Sequence, residues 1–149
     1  MRLRSPIRRV GVKTERWQAW RQKSRQAVAL RAGFKCESCQ SNMRPLEWAH
    51  LFSRGQHIVG EPWCSLPELT VALCASKYEV GCHERLDRNL VPDLLCELRQ
   101  LALMRLMNRF PELRYLNYGD PLGGVREAVV LLESNGWVYD PPSNLIVKR

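Results

Sequence analysis

Four cysteines in the chain have the residue type and spacing of a metal site. Cys36 and Cys39 form a Cys-x2-Cys pair, and Cys74 and Cys82 form a second, more widely spaced pair. Two intervening residues is the tightest spacing at which two thiolates from one turn reach the same tetrahedral zinc ion, and a distant second pair completes the ligand set. The second pair has seven residues between its members instead of the usual two, so residues 75–81 form an insertion. The pattern predicts one structural Zn²⁺ ion.

Two histidines accompany these thiols. His50 lies between the two pairs, and His83 follows Cys82 directly. His83 and Asp87 are four residues apart, so on a helix they share one face and can chelate one divalent ion. One nitrogen and one carboxylate leave positions for water and phosphate oxygen, which suits Mg²⁺ or Mn²⁺. Each residue also has a structural alternative: His50 as a hydrogen-bonded strand residue, His83 as a zinc ligand, and Asp87 as a solvated helix acid.

The order of these motifs resembles that of the HNH endonucleases, the ββα-metal nuclease fold, and in particular their small phage-type members. The resemblance spans residues 36–89 and is carried by Cys36-Glu37-Ser38-Cys39, Trp48-Ala49-His50, Leu73-Cys74 and Cys82-His83-Glu84-Arg85-Leu86-Asp87. It implies that His50 ends the first strand, that Leu73-Cys74 lie on the second, and that His83 lies on the helix.

The same resemblance implies a chemistry. His50 is expected to be the general base that takes a proton from the attacking water, because the pKa of imidazole lies near neutral pH. The divalent ion at His83 and Asp87 is expected to stabilise charge on the scissile phosphate and on the leaving oxygen. The implied function is a metal-dependent DNA endonuclease or nickase that leaves 5′-phosphate ends.

Two positions depart from the family pattern. The residue before the base is often Asp or His and ligates the ion, but here it is Ala49. The Asn that orients the loop holding the base would align near Leu69 or Thr70, and neither is Asn. These departures leave a second function open, namely a catalytically inactive, zinc-stabilised DNA-binding or assembly protein on the same fold.

Positive charge is concentrated at the N-terminus. Residues 1–35 contain eleven Lys and Arg and one acid, whereas the other residues carry twelve basic and fourteen acidic side chains. A basic block beside a nuclease-like motif indicates a nucleic-acid partner, and the alternative is a solvated arm whose charge serves only solubility. The predicted DNA contacts are Arg2, Arg4, Arg8, Arg9, Lys13 and, in the loop after His50, Arg54.

The predicted architecture is α+β, with a zinc-stapled ββα-metal core between an N-terminal basic helix and a C-terminal helical extension. Residues 1–13 are predicted to be an extended basic arm, and 14–149 a single domain divided at 33 and 90. Thr14 is the predicted N-cap of the first helix and Gly33 its stop. The remaining predicted elements are strands 46–50, 70–73 and 137–139 and helices 82–90, 92–110 and 125–134. Trp17 and Trp20 are expected to pack in the core.

Composition indicates the cellular compartment in which the protein is expected. No run of about 18 apolar residues is present, so no transmembrane span is expected. The N-terminus lacks the apolar region of a secretory signal, and six cysteines favour metal binding in a reducing compartment. We therefore expect a bacterial or phage-infected cytoplasm, no membrane partner, and phage or host DNA-processing proteins as possible partners. The two other cysteines, Cys64 and Cys96, are expected to be small buried thiols.

Overall fold

Helices and two small antiparallel sheets make up the chain, as expected for the α+β class. The computed structural model describes residues 12–52, 59–116 and 120–149, and of residues 12–15 only the backbone. In order, the helices and strands are α1 (Val12–Ala32), β1 (Leu46–His50), β2 (Thr70–Cys74), α2 (Cys82–Asp87), α3 (Pro92–Arg109), α4 (Pro121–Ser134), β3 (Trp137–Asp140) and β4 (Leu145–Lys148). Short 3-10 turns at Trp63–Ser65, Pro67–Leu69 and Pro111–Leu113 connect them.

The first helix, α1, begins earlier than predicted. It starts at Val12, so Thr14 is not its N-cap and Lys13 belongs to the helix instead of the arm. Its end is as predicted, because Gly33 adopts a φ of +63°. The N–H groups of Gly33 and Phe34 donate to Leu30 O and Ala29 O at 3.1 and 3.0 Å, the paired bonds of a left-handed helix stop.

The tryptophans of α1 confirm the packing prediction. Trp20 is buried, and its indole N–H donates to Pro62 O at 2.9 Å. The ring of Trp17 packs against that of Tyr139, with centroids 4.9 Å apart. The helix is thereby fixed against both the loop that follows β1 and the C-terminal hairpin.

Strands β1 and β2 form an antiparallel pair in which Leu46 faces Cys74 and His50 faces Thr70. All five residues of β2 are buried, whereas in β1 only Ala49 is fully buried. The bounds of β1 match the prediction, and β2 is one residue longer than predicted because it includes Cys74. A carboxylate outside the pair reinforces it, since Glu37 accepts the Ala72 N–H at 2.8 Å and pairs with Arg31.

The helix α2 is shorter than predicted. It ends at Asp87, and Asn89 with a φ of +55° turns the chain before Leu90. Pro92 then occupies the first turn of α3, as predicted, and α3 ends at Arg109. The buried side of α3 consists of Leu98, Ala102, Leu103 and Leu106.

The C-terminal part contains a β-hairpin, formed by β3 and β4, that the sequence analysis did not predict. Strand β3 extends to Asp140, one residue beyond its predicted end, and the chain turns back into β4, a strand that was not predicted. Asp140 holds the turn, since its carboxylate accepts hydrogen bonds from both the N–H and the hydroxyl of Ser143. Helix α4 also begins four residues before the predicted start, at Pro121.

One apolar core joins the two sheets. The ring of Phe110 lies 6.4 Å from that of Trp63 on one side and 5.0 Å from that of Trp137 on the other. Within the described residues, no helix combines the length and apolarity that crossing a bilayer requires.

Candidate functional site

The four predicted cysteines come together in space. The Sγ atoms of Cys36, Cys39, Cys74 and Cys82 all lie within 4.8 Å of one another. Cys39 Sγ and Cys74 Sγ are 3.8 Å apart. A tetrahedral zinc ion with bonds of about 2.3 Å has sulfur–sulfur edges of about 3.8 Å, so the Cys39–Cys74 distance equals such an edge. The cluster could bind a metal, and its four-sulfur donor set suits zinc.

Backbone N–H groups surround the cluster and favour negative sulfur. The N–H of Cys82 points at Cys74 Sγ at 3.3 Å, and the N–H groups of Ser38 and Cys39 point at Cys36 Sγ at 3.4 and 3.5 Å. Burial opposes ionisation of Cys36, but these N–H groups outweigh it and lower the pKa of its thiol to about 7. Burial raises the pKa of Cys82 to about 12. Of these two thiols the protein alone favours ionisation of Cys36, and a bound cation would be needed to hold Cys82 as a thiolate as well.

The insertion between Cys74 and Cys82 loops out and returns to its starting point. A Cβ placed on Gly81 would lie 2.5 Å from both the Cys74 carbonyl oxygen and the Ala75 carbonyl carbon. Only glycine therefore allows the chain to come back this closely. Ser76 closes the loop by accepting the Gly81 N–H at 2.9 Å. The irregular spacing of the second thiol pair is thus compatible with a tetrahedral site.

His83 and Asp87 lie side by side on α2, as their spacing predicts. His83 Nε2 is 3.4 Å from an Asp87 oxygen, and His83 Nδ1 is 3.4 Å from a carboxylate oxygen of Glu47. The two acids thus face opposite edges of the imidazole. In the described part of the chain, these three residues do not converge as a group of three metal ligands. His83 and Asp87 could hold an ion as a pair, with water and phosphate as the other ligands.

His50 lies at the far end of the β1–β2 pair, next to a polar network. Its Nε2 is 3.2 Å from the Ser65 hydroxyl, which donates to Glu61 Oε1 at 2.7 Å. The same carboxylate oxygen pairs with Arg21 Nε at 2.7 Å. The Trp48 ring packs against the imidazole with centroids 4.3 Å apart. His50 is therefore a hydrogen-bonded strand residue, and its imidazole contacts both Ser65 and Trp48.

A second group of possible metal ligands is present beside this network. His50, Glu61 and Cys64 offer ligand atoms that all lie within 4.8 Å of one another. Cys64 is buried as predicted, and burial, aided by the negative charge of Glu61, raises its pKa to about 11. Cys96, by contrast, is exposed on α3, so the prediction of a buried thiol was wrong there.

The structure describes both positions where the sequence departs from the HNH pattern, namely Ala49 and the Leu69-Thr70 pair. Ala49 is buried and faces the interior, so it offers no ligand. Thr70, opposite His50 in the pair, donates its hydroxyl to Leu66 O at 3.0 Å. The N–H of Leu51 donates to Leu69 O at 3.3 Å. The Leu51–Leu69 bond joins the two ends of the segment between β1 and β2, and the Thr70–Leu66 bond holds its C-terminal end.

The predicted DNA contacts fall largely outside the described residues. Arg2, Arg4, Arg8, Arg9 and Arg54 lie there entirely, and Lys13 is described only as backbone of α1. The basic side chains of α1 that are described include Arg21, which pairs with Glu61, and Arg25, whose guanidinium lies 5.2 Å from the centre of the Trp48 ring.

Sequence reasoning missed Glu47 as a neighbour of His83, and Glu61 and Ser65 as members of the network at His50. Glu47 could have been found from the strand alternation, because it shares one face of β1 with Ala49. Glu61 and Ser65 gave no signal, since they lie in an irregular segment with neither helical nor strand periodicity. Comparison of the chain with protein-family models, with curated proteins and with solved structures found no match.

Proposed function

We propose that the chain is a metal-dependent DNA endonuclease or nickase of the HNH type, with one structural zinc ion at its four clustered cysteines. The observation that carries this proposal is the spatial order of the motif. His50 closes β1, β2 brings Cys74 to the cysteine cluster, and α2 opens with Cys82 and His83. This order matches what the resemblance to the ββα-metal nucleases implies for strand, strand and helix.

In this proposal His50 is the general base. Its imidazole is half-buried and oriented by Ser65, so it would meet an attacking water in one defined direction. Thr70 and the Leu51–Leu69 hydrogen bond fix the backbone on both sides of the loop that leaves His50. The base is therefore positioned by the chain itself, although the usual Asn is missing.

His83 and Asp87 would hold the catalytic divalent ion, Mg²⁺ or Mn²⁺. When bound, such an ion stabilises negative charge on the scissile phosphate and the leaving oxygen. With Ala49 in the third ligand position, the chain supplies few ligands, so we expect weak metal binding without DNA. Mn²⁺ is expected to support cleavage better than Mg²⁺, because it accepts nitrogen ligands more readily.

DNA is the proposed partner because of the charge distribution. The basic residues 1–35 would supply most of the attraction to phosphate, and the near-neutral remainder would carry the chemistry. The proposed setting is the cytoplasm of a bacterium or of a phage-infected cell, with phage or host DNA-processing proteins as further partners.

One observation favours the alternative, a catalytically inactive zinc-stabilised DNA-binding or assembly protein. Ala49 is 2% exposed, and the two acids beside His83 lie at opposite edges of its ring. Such an arrangement gives an ion fewer convergent ligands than a nuclease of this type ordinarily has. The alternative retains the cysteine cluster and the basic N-terminus but no cleavage.

An experiment with the intact protein separates the two functions. Wild-type protein is incubated with supercoiled plasmid in Mn²⁺, Mg²⁺ or EDTA, and DNA binding is measured in parallel. The endonuclease proposal expects relaxed or linear plasmid with Mn²⁺, less with Mg²⁺ and none with EDTA. Tight binding in all three conditions with intact plasmid throughout would refute the endonuclease and support the binding protein.

A further inference from the structure

The polar network beside His50 runs from one helix to the end of a strand. Arg21 Nε donates to Glu61 Oε1 at 2.7 Å, Ser65 Oγ donates to the same oxygen at 2.7 Å, and His50 Nε2 lies 3.2 Å from Ser65 Oγ. Ser65 is fully buried, and the Glu61 side chain is 11% exposed. Bulk water therefore does not reach the serine hydroxyl, which links the imidazole to the carboxylate. A longer contact of 3.8 Å joins Cys64 Sγ to the serine hydroxyl.

The donor and the acceptor of each hydrogen bond in this network can be assigned by starting from Arg21. A guanidinium only donates, so Glu61 Oε1 accepts from Arg21, and an ionised carboxylate has no proton to give. Ser65 has a single hydroxyl proton, and the short contact places that proton on the bond to Glu61. The serine oxygen then faces His50 with a lone pair. His50 Nε2 must consequently carry a hydrogen.

We propose that Ser65 and Glu61, anchored by Arg21, are positioning residues that hold neutral His50 in the tautomer with its proton on Nε2. In this neutral tautomer the lone pair of the imidazole is on Nδ1, the nitrogen that would take the proton if His50 is the general base. The Trp48 ring, tilted by 58° with its centroid 4.3 Å from that of the imidazole, restricts rotation of His50 and preserves this orientation. The catalytic consequence of this tautomer, though not the tautomer itself, rests on the proposed role of His50 as general base.

The tautomer is measurable without any cleavage assay. Full-length protein labelled with ¹⁵N-histidine is studied by NMR at about pH 8.5, roughly two units above the ordinary imidazole pKa. The His50 signals are assigned by their loss in His50→Gln. We expect a protonated Nε2 and an unprotonated Nδ1 in the wild type. A protonated Nδ1 in the wild type would overturn the proposal.

Paired serine variants test the role of the hydroxyl. Ser65→Ala removes the acceptor of the His50 N–H and should introduce a population with the proton on Nδ1. Ser24→Ala is a matched control, because Ser24 is also buried but its hydroxyl has no hydrogen-bond partner. The control should leave the His50 spectrum unchanged. Identical His50 spectra in wild type and folded Ser65→Ala would overturn the proposal.

Glu61 provides a second test that does not depend on Ser65→Ala folding. In Glu61→Gln, Arg21 should select the amide oxygen for its own hydrogen bond, so Ser65 still has an acceptor and the wild-type tautomer should persist. In Glu61→Met the serine proton loses its acceptor and can turn toward His50 Nε2, which should shift protonation toward Nδ1. Equal effects of the two variants would contradict the assigned direction of the network.

Cleavage then tests the catalytic consequence. If the wild type cleaves DNA, Ser65→Ala should lower the rate roughly tenfold, the factor that corresponds to loss of about one hydrogen bond, while Ser24→Ala stays at the wild-type rate. An unchanged rate with a shifted tautomer would overturn the catalytic consequence. A wild type with the expected tautomer but no cleavage would refute the proposed function and leave the tautomer assignment standing.

A metal ion at His50, Glu61 and Cys64 is the competing explanation for this cluster. Glu61 Oε2 is buried without a hydrogen-bond partner, and it could face such an ion. Metal analysis distinguishes the two, because the tautomer proposal expects one zinc ion per chain in both wild type and Cys64→Ala. Two ions in the wild type and one in Cys64→Ala would overturn the proposal.

Discussion

Gly81 lies where the 75–81 insertion comes back against the backbone of Cys74 and Ala75, and its substitution tests the cysteine cluster. In Gly81→Ala the new Cβ would lie 2.5 Å from two backbone atoms, about 0.9 Å short of the 3.4 Å at which ordinary contact begins. Both atoms belong to the backbone at Cys74 and Ala75, so neither can rotate away. Relief requires a shift of the Gly81–Cys82 peptide, which carries the N–H bonded to Cys74 Sγ. The substitution should therefore displace one thiol from the cluster.

The expected magnitude follows from the cost of overpacking a close-packed site. Such insertions cost about 2 kcal/mol, and since 1.4 kcal/mol is a factor of ten, zinc affinity should fall roughly thirtyfold. The assay is competition for zinc with a chromophoric chelator. Gly60→Ala is the matched control, because a Cβ there meets no atom of the described residues within 4 Å. Equal zinc affinity of Gly81→Ala and wild type would refute the reasoning about the insertion.

Three further predictions follow from the cluster, the arm and the α2 site. Cys39→Ser should lose the single bound zinc ion and, because structural zinc supplies folding free energy of about 10 kcal/mol in small modules, should unfold the central segment; folded, zinc-free wild-type protein would contradict this. Deleting residues 1–11 removes four arginines without entering α1 and should weaken DNA binding, with the salt slope flatter by up to about 3.6 if each contacts a phosphate; an unchanged slope would show that the arm does not touch DNA. His83→Ala should abolish Mn²⁺-dependent cleavage and leave DNA binding nearly intact, whereas Asp87→Ala should raise the Mn²⁺ concentration required; wild-type cleavage by His83→Ala at low Mn²⁺ would contradict the assigned metal ligands.

The elements with strong local signals could be predicted from the sequence. The predicted strand at 46–50 has the observed bounds of β1, and a segment with two glycines and two prolines follows it in the sequence. The end of α1 was correct because Gly33 supplies the left-handed conformation that stops a helix. The elements that failed have ambiguous signals. Strand β4 was not predicted: it is only four residues long, and the two prolines after Asp140 lie in the turn that precedes it.

Some residues of the candidate site could likewise be predicted from the sequence, and others could not. Thiol spacing alone brought together the four cysteines, and helical spacing placed His83 beside Asp87. The residues that orient His50 could not be predicted, since Arg21 meets Glu61 only when α1 packs on the loop after β1. Such contacts arise from tertiary packing between segments about forty residues apart, where no local pattern operates.

The central claim is that His50 is the base of a metal-dependent DNA cleavage reaction. It is tested most directly by the rate at which His50→Ala nicks supercoiled plasmid in Mn²⁺, compared with wild type and with His57→Ala as the same substitution at another histidine. Loss of a general base lowers a rate by roughly 10² to 10⁴, so His50→Ala should be slower by that factor while it still binds DNA and zinc like the wild type. Wild-type cleavage by His50→Ala, or a loss confined to His57→Ala, would contradict the account.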